Sequence, residues 1–275
     1  MWGKITMQWT GWKASPAWLL AIMALLLLAP GASAMRVAPM VLELTTTGSS
    51  AVGRIEVGNA GTTALPFETT ITQIEMDQDG RLTETPAEGD FVVFPPQSLV
   101  PVGGRQVIRV QWTGPELRQS RAYYLAVRQL PVATDPNQQG QGGPSVAVSL
   151  LYTMKALVVV APPNTQPRVE VASARPIMIE PPLTEDGVEP LPQEPGIEVV
   201  VTNSGDRYAL MSGATWVVEG VDVTGQSFSR TYSGGEISQA LGVGYLAPGG
   251  GRRVFRLATG AALDPNQRVT VRFTR

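Results

Sequence analysis

The stretch that decides the fold is SVAVSLLYTMKALVVVAPP, residues 145–163. Its β-branched and aromatic residues, ended by Pro162 and Pro163, predict one β-strand over residues 145–160, about three times the usual strand length. Both faces become apolar towards its end, and a single lysine, Lys155, interrupts the run. A long, flat, apolar strand invites pairing with other chains when its edge is exposed.

The same two-residue alternation continues on both sides of this stretch. VGRIEVGN (52–59) and GRQVIRVQW (104–112) are predicted strands that end at turn residues, and further strands follow the proline-rich linker PPNTQP (162–167). After residue 34 no segment has the spacing of an amphipathic helix. We therefore predict an all-β protein with two immunoglobulin-like β-sandwich domains, residues 35–163 and 164–275.

Residues 1–34 have the features of a signal peptide. Lys4 and Lys13 precede the apolar run WLLAIMALLLLA, which is short for a membrane span, and small residues precede a cleavage point after Ala34. We expect export, cleavage after Ala34 and no membrane span in the remaining chain. An uncleaved membrane anchor is the alternative.

The composition argues against most enzymatic chemistry. The chain contains no histidine and no cysteine, which removes a thiol nucleophile, a Ser-His-Asp triad and the common zinc sites. A serine–lysine enzyme would need Lys155, but Tyr152 stands where an S-x-x-K motif needs serine. A net charge of −2 indicates no basic surface for nucleic acid. We expect no enzyme, no metal site and no cofactor.

The order of motifs resembles the periplasmic chaperones that assemble bacterial pili by the chaperone–usher route. FVVFPP (91–96) is similar to their aromatic-x-Pro-Pro corner, and the arginine-bearing strand GRQVIRVQW follows it. AYYLAVRQLP (122–131) resembles their aromatic strand, and LAPGGGRRVF (246–255) resembles part of their second domain. The resemblance implies a periplasmic location and two immunoglobulin-like domains in an L-shaped or boomerang arrangement.

The resemblance also implies a function for the long strand, which these chaperones lend to a pilin-type subunit. The subunit lacks the last strand of its own immunoglobulin-like fold, and the chaperone fills the groove, blocks self-assembly and delivers the subunit to an outer-membrane usher. On this donor strand, residues 145–160, the side chains that would enter the groove are Val146, Val148, Leu150, Tyr152 and Met154.

The family anchors the subunit's C-terminal carboxylate with two basic residues in the cleft between its domains. Lys155 matches the lysine of the donor strand, two residues early, and Arg109 matches an arginine near the cleft. Three positions depart from the family pattern. Val41 replaces a first-strand arginine, Ala161 replaces an arginine near the end of the donor strand, and Ser120 replaces an acid of an interdomain ion pair.

Other interpretations remain open. A structural or adhesive immunoglobulin-like surface module would have no free edge on the long strand and would self-associate. Separately, the alternative for Lys155 is a lysine at a strand end whose ammonium reaches water, and the alternative for Arg109 is a pair with an acid in its own sheet. An unliganded chaperone could also cover its donor strand by forming a self-capping dimer. Arg207, in the turn NSGDRYA (203–209), is a candidate for pairing across the domains.

Overall fold

The computed structural model describes residues 35–131, 150–180 and 192–274. The first part of this chain forms strands β1 (Met35–Ala38), β2 (Val41–Thr45), β3 (Val52–Asn59), β4 (Leu65–Met76), β5 (Leu82–Pro86), β6 (Phe91–Phe94), β7 (Gln97–Val100), β8 (Arg105–Trp112), β9 (Arg121–Gln129) and β10 (Thr153–Ala161). The second part forms β11 (Val169–Ile179), β12 (Glu194–Asn203), β13 (Ala209–Leu210), β14 (Thr215–Val221), β15 (Ser227–Tyr232), helix α1 (Gly234–Leu241), β16 (Tyr245–Leu246), β17 (Gly251–Ala258) and β18 (Thr270–Thr274).

Strands β1–β10 form a sandwich of two sheets. One sheet has the order β1-β3-β8-β6 and the other has the order β2-β10-β9-β4-β5, with β7 paired to β4. All these ladders are antiparallel except the parallel pair β2 and β10. Because alternate side chains of a strand point to opposite faces, every second residue enters the core between the sheets. Its fully buried members include Ile55, Val57, Phe67, Ile108, Tyr123, Leu125 and Val158.

Strands β11–β18 form a second sandwich with its own core. Its main sheets have the orders β11-β12-β17 and β15-β14-β18, and β13 pairs with β16. Trp216 is fully buried at the centre, in edge-on contact with Phe255 and Phe273. The expected fold class, an all-β protein with two immunoglobulin-like sandwiches, is confirmed. No helix in the described ranges is long and apolar enough to span a membrane.

A buried asparagine ends the second strand of the pairing order in each sandwich. Asn59 donates to Thr63 O (2.7 Å) and accepts from Gly61 N (2.9 Å), which closes the turn after β3. Asn203 accepts from Arg168 N (2.9 Å) and donates to Arg207 O (2.7 Å), which ties the segment before β11 to the turn after β12. The two Asn-x-Gly turns, both predicted from sequence, thus have the same physical basis: a side-chain amide that replaces missing backbone partners.

Helix α1 was not predicted. The Ser233 hydroxyl caps its first turn by accepting from Glu236 N (3.3 Å), and the Glu236 carboxylate accepts from Ser233 N in return (2.8 Å). This S-x-x-E capping box is present in the sequence. The helix has only eight residues and Ile237 is its buried side chain, so it is too short to show an apolar period.

The long strand starts later than predicted. β10 begins at Thr153 instead of residue 145, and residues 150–152 lie outside it. The reason is the end of its neighbour β9, since Gln129 N bonds to Tyr152 O (2.9 Å) and Leu130 N already turns to Pro66 O. The remaining part of the predicted strand, with Val146 and Val148, lies outside the described residues, as do residues 1–34 with the predicted signal peptide.

Candidate functional site

Strand β10 is an inner strand over one half of its length and an edge strand over the other. Residues 157–160 pair with β2 on one side and β9 on the other, whereas residues 153–156 pair with β9 alone among the described residues. The cause is the first strand segment, which changes sheets. β1 pairs with β3 in the opposite sheet, and the chain reaches β10 only where Met40 O accepts from Leu157 N (2.9 Å).

This open edge presents main-chain hydrogen-bonding groups. In an antiparallel pair, successive residues direct their N–H and C=O groups alternately towards and away from the partner strand. Leu157 N points away from β9, towards Met40. Thr153 and Lys155 have the same parity, so their N–H and C=O groups face the open edge. Within the described part of the chain, no strand pairs with them on that side.

Three consecutive apolar side chains stand exposed beside this edge. Leu150 is 70% exposed, Leu151 50% and Tyr152 46%. Burial of each side chain would be favourable, by about 1.5–3 kcal/mol for complete burial of a large apolar side chain. Contiguous exposed apolar surface of this kind is typical of sites that contact other proteins. Two of the five predicted groove-filling side chains, Leu150 and Tyr152, are therefore exposed, and their contact with a partner stays a prediction.

Met154, predicted on the same face as Leu150 and Tyr152, has a different environment. It is half-buried and packs against the core of the first sandwich, as do the next even-numbered residues, Ala156 and Val158. Within β10 the even face is thus used by the protein's own core. Any contribution of Met154 to a partner would require it to leave that core.

The odd face of β10 forms the contact between the two sandwiches. Leu157 and Val159 are buried with Ile74 of β4 against Tyr208 and Tyr245 of the second sandwich. Lys155 lies on this same face, one alternation before Leu157, where the apolar contact ends. The side chain of Lys155 is 42% exposed. The strand therefore carries an ammonium group to the margin of this contact between the sandwiches.

Lys155 is already paired. Its Nζ donates to Glu84 Oε1 on β5 (2.6 Å), and the Thr72 hydroxyl donates to Glu84 Oε2 (2.8 Å). The Nζ also lies 5.7 Å from the centre of the Tyr124 ring. The hydrogen bonds from Lys155 and, second, Thr72 hold the pKa of the Glu84 carboxyl below its usual value.

Arg109 does not lie near Lys155, which corrects the expectation of a two-cation anchor. It belongs to β8 in the opposite sheet, and its neighbours Ile108 and Val110 fill the core, so its own side chain points outward. Facing sheets are about 10 Å apart, which places the two cations on opposite surfaces of the sandwich. Arg109 donates to Gln111 Oε1 (2.9 Å), and no acid in the described ranges pairs with it.

Ser120, which replaces an acid of the family pattern, still connects the two sandwiches. It is 4% exposed, its hydroxyl accepts from Tyr208 N (2.7 Å), and its own N–H donates to Asp206 O (3.0 Å). The predicted pairing of Arg207 across the sandwiches is confirmed, since its Nη2 lies 3.0 Å from Glu43 Oε2. A neutral hydroxyl thus connects the two sandwiches at the position where the family resemblance implies a charged side chain.

Arg253 is a connecting residue that sequence reasoning missed. It extends from β17 to the first sandwich, where it contacts the Met76 sulfur, and its Nη1 donates to Tyr245 O (2.8 Å). Burial lowers the pKa of its guanidinium. Next to it, Val254 N donates to Gln78 O in the turn between β4 and β5 (2.8 Å). The surrounding glycines identify a turn but give no sign of this contact.

Comparison with solved structures gives the same fold. The class 5 fimbriae chaperone CfaA matches 88% of this chain and 92% of its own, with a TM-score of 0.50 and 11% identity. The E. coli chaperone DraB matches at TM-score 0.47 and 15% identity, over 86% of this chain and 96% of its own.

A chain from the complex of the Salmonella enterica SafA pilin with the SafB chaperone matches at TM-score 0.47 and 11% identity, over 89% of this chain and 99% of that one. No family model and no curated protein matches the sequence. At these identities the likeness establishes the fold alone. The resemblance to pilus-assembly chaperones is therefore confirmed at the level of the fold.

Proposed function

We propose that this protein is a periplasmic chaperone that binds pilin-type subunits through β10 and delivers them to an outer-membrane usher. The observation that carries the proposal is the half-open edge of β10, directly preceded by the exposed side chains of residues 150–152. The fold shared with a fimbrial chaperone and the order of the sequence motifs support it. Residues 1–34 would direct export and be removed after Ala34.

The subunit would be bound by strand addition. Main-chain groups of Thr153 and Lys155 would pair with an edge strand of the subunit and supply affinity that does not depend on sequence. Leu150 and Tyr152, together with the predicted Val146 and Val148, would enter the subunit groove and supply the fit. Two fully buried side chains of this size contribute at most about 3–6 kcal/mol before ordering costs.

Lys155 is the candidate anchor for the subunit's C-terminal carboxylate. It lies on the face of the donor strand that contacts the second sandwich, and an ammonium–carboxylate pair at a partly dry margin forms charge-assisted hydrogen bonds. Arg109 takes no part in this anchor because of its place in the other sheet. We propose a single-cation anchor, in a cleft between domains 35–163 and 164–275 arranged as an L.

A periplasmic pull-down tests the proposal, with the wild type beside Leu150→Glu. We expect a small secreted subunit to co-purify with the wild type and to be lost from Leu150→Glu, because a carboxylate cannot enter an apolar groove unpaired. Leu99→Glu is the matched control, since Leu99 is 62% exposed but lies on β7, away from β10. Equal capture by wild type and Leu150→Glu would refute strand donation.

The exposed residues 150–152 also favour a second candidate, a module that associates with copies of itself. Burial of these side chains against a second copy would hide the open edge, as a self-capping dimer would. Light scattering separates the two functions. A chaperone becomes a 1:1 complex when its subunit is co-expressed, whereas a structural module keeps its self-association at every subunit concentration.

A further inference from the structure

We infer that Glu84 is an internal stand-in for a partner's terminal carboxylate and competes with it for the ammonium of Lys155. This inference rests on the proposed function, because it concerns the same lysine. It adds a residue that selects between partners. Only a chain end that also supplies strand contacts to β10 would compete with a carboxylate that the protein carries itself.

The geometry supports a replaceable contact. Glu84 lies on β5, the edge strand of its sheet, and each of the five residues of β5 is exposed. Both carboxylate oxygens are used, Oε1 by Lys155 at 2.6 Å and Oε2 by the Thr72 hydroxyl at 2.8 Å. The carboxylate can leave this position by a side-chain rotation, because no core residue depends on it.

The exposure and the neighbours of the Lys155 ammonium favour a carboxylate as its partner. It is the only lysine after residue 34, its side chain is 42% exposed, and its ammonium carries three donors of which Glu84 takes one. Tyr124, beneath it, presents a ring face that favours a cation. A second carboxylate is therefore the group that this ammonium would accept in exchange for the first.

The neighbouring charge on the same face is neutralised in the same way. Arg128 of β9 lies directly opposite Thr153 and forms an ion pair with Glu68 of β4. A small free anion thus meets no uncompensated cation at Lys155 or Arg128. A partner whose end is an amide would leave the pair of Lys155 and Glu84 intact, whereas a partner with a free carboxylate would exchange with it.

The expected effect is modest because the pair is partly exposed. Ion pairs of this kind change an equilibrium by about two- to fivefold. Removing the Glu84 charge should therefore strengthen binding of a carboxylate-ended strand about two- to fivefold. Binding of the same strand ended by an amide should not change. A larger gain would indicate that Thr72 holds Glu84 firmly over Lys155.

The test uses two short acetylated peptides of alternating valine and serine, one with a free C-terminal carboxylate and one with an amide. Fluorescence anisotropy measures their binding to the full chain as wild type, Glu84→Gln and the double variant Glu84→Gln with Lys155→Ala. Glu68→Gln is the matched control, since it frees Arg128 on the same face by the same change of charge.

We expect Glu84→Gln to bind the carboxylate peptide more tightly, Glu68→Gln to bind like the wild type, and the double variant to lose the gain. The inference is overturned if both peptides gain equally, or if Glu68→Gln gains as much as Glu84→Gln. If the amide peptide binds every variant and the carboxylate confers nothing, strand pairing survives without this exchange. If neither peptide binds any variant, the inference fails together with strand pairing.

Discussion

Replacing Ser120 by alanine tests how much one buried hydrogen bond between the two sandwiches contributes to the free energy of unfolding. The Ser120 hydroxyl is the acceptor for Tyr208 N at 2.7 Å, and both residues are at most 4% exposed. Alanine removes the acceptor and leaves a buried N–H without a partner. An unpaired buried donor costs about 1–3 kcal/mol, so we expect the free energy of unfolding to fall by about 2 kcal/mol.

The neighbouring ion pair should matter less than this neutral bond. The side chains of Arg207 and Glu43 are 26% and 52% exposed, and pairs of this exposure contribute about 0.2–1 kcal/mol. Arg207→Ala should therefore cost less than Ser120→Ala, although it removes a full charge. The ranking follows from burial, since water replaces the lost partner of Glu43 but cannot reach Tyr208 N.

Urea unfolding followed by circular dichroism gives the free energies, and amide hydrogen exchange gives the local effect at Tyr208. The control is Ser98→Ala, whose hydroxyl contacts the Gln106 side chain (3.2 Å) and leaves no buried N–H behind. We expect the control to lie within about 0.5 kcal/mol of the wild type. The reasoning is refuted if Ser120→Ala is equally close and its Tyr208 amide exchanges as slowly as in the wild type.

Two further predictions concern the second sandwich. Glu198 lies between Arg175 (2.6 Å) and Arg256 (3.3 Å) on adjacent strands; the hydrogen bond from Arg175, more than that from Arg256, lowers its carboxyl pKa. Its stabilisation is therefore present above the ordinary carboxyl pKa and lost as pH falls through the lowered one. Urea unfolding at a series of pH values should show Glu198→Gln about 1 kcal/mol less stable at pH 7, the difference vanishing in acid, and a pH-independent difference would contradict this. Gly205→Ala should destabilise the protein by about 2 kcal/mol or more and lower its midpoint of thermal unfolding, because a Cβ there would lie 2.3 Å from Gln166 O. Gly213→Ala is the control, since a Cβ there would meet open space, and it should leave the midpoint unchanged. Equal midpoints for the two variants would refute the packing argument.

The fold could be predicted from the sequence because its signals are local. Period-two alternation and Asn-x-Gly turns specify strands and their ends, and the residues after Asn59 and Asn203 form the turns that the sequence indicates. Helix α1 gave a local signal too, the capping box at Ser233, but it lacks the length that a periodic pattern needs. Helix α1 was missed because it is short, although the residue types of its capping box are present in the sequence.

The candidate site could be predicted only in part, because its features depend on which strands become neighbours. Leu150 and Tyr152 are exposed, whereas Met154 is half-buried and packs against the core. The start of β10 depends on where β9 ends, and the separation of Arg109 from Lys155 depends on which sheet β8 joins. No pattern within either strand carries that information.

The contact between the sandwiches and the open edge of β10 belong to one arrangement. Leu157 and Val159 are held on the face towards the second sandwich by Tyr208 and Tyr245, and on both edges by β2 and β9. The half of β10 before residue 157 lacks two of these restraints among the described residues. A strand that is fixed at one end and open at the other can offer its main chain to a partner without the sandwich unfolding. Loosening the fixed end at Ser120 should therefore weaken capture of a subunit even though Ser120 lies outside the proposed binding surface.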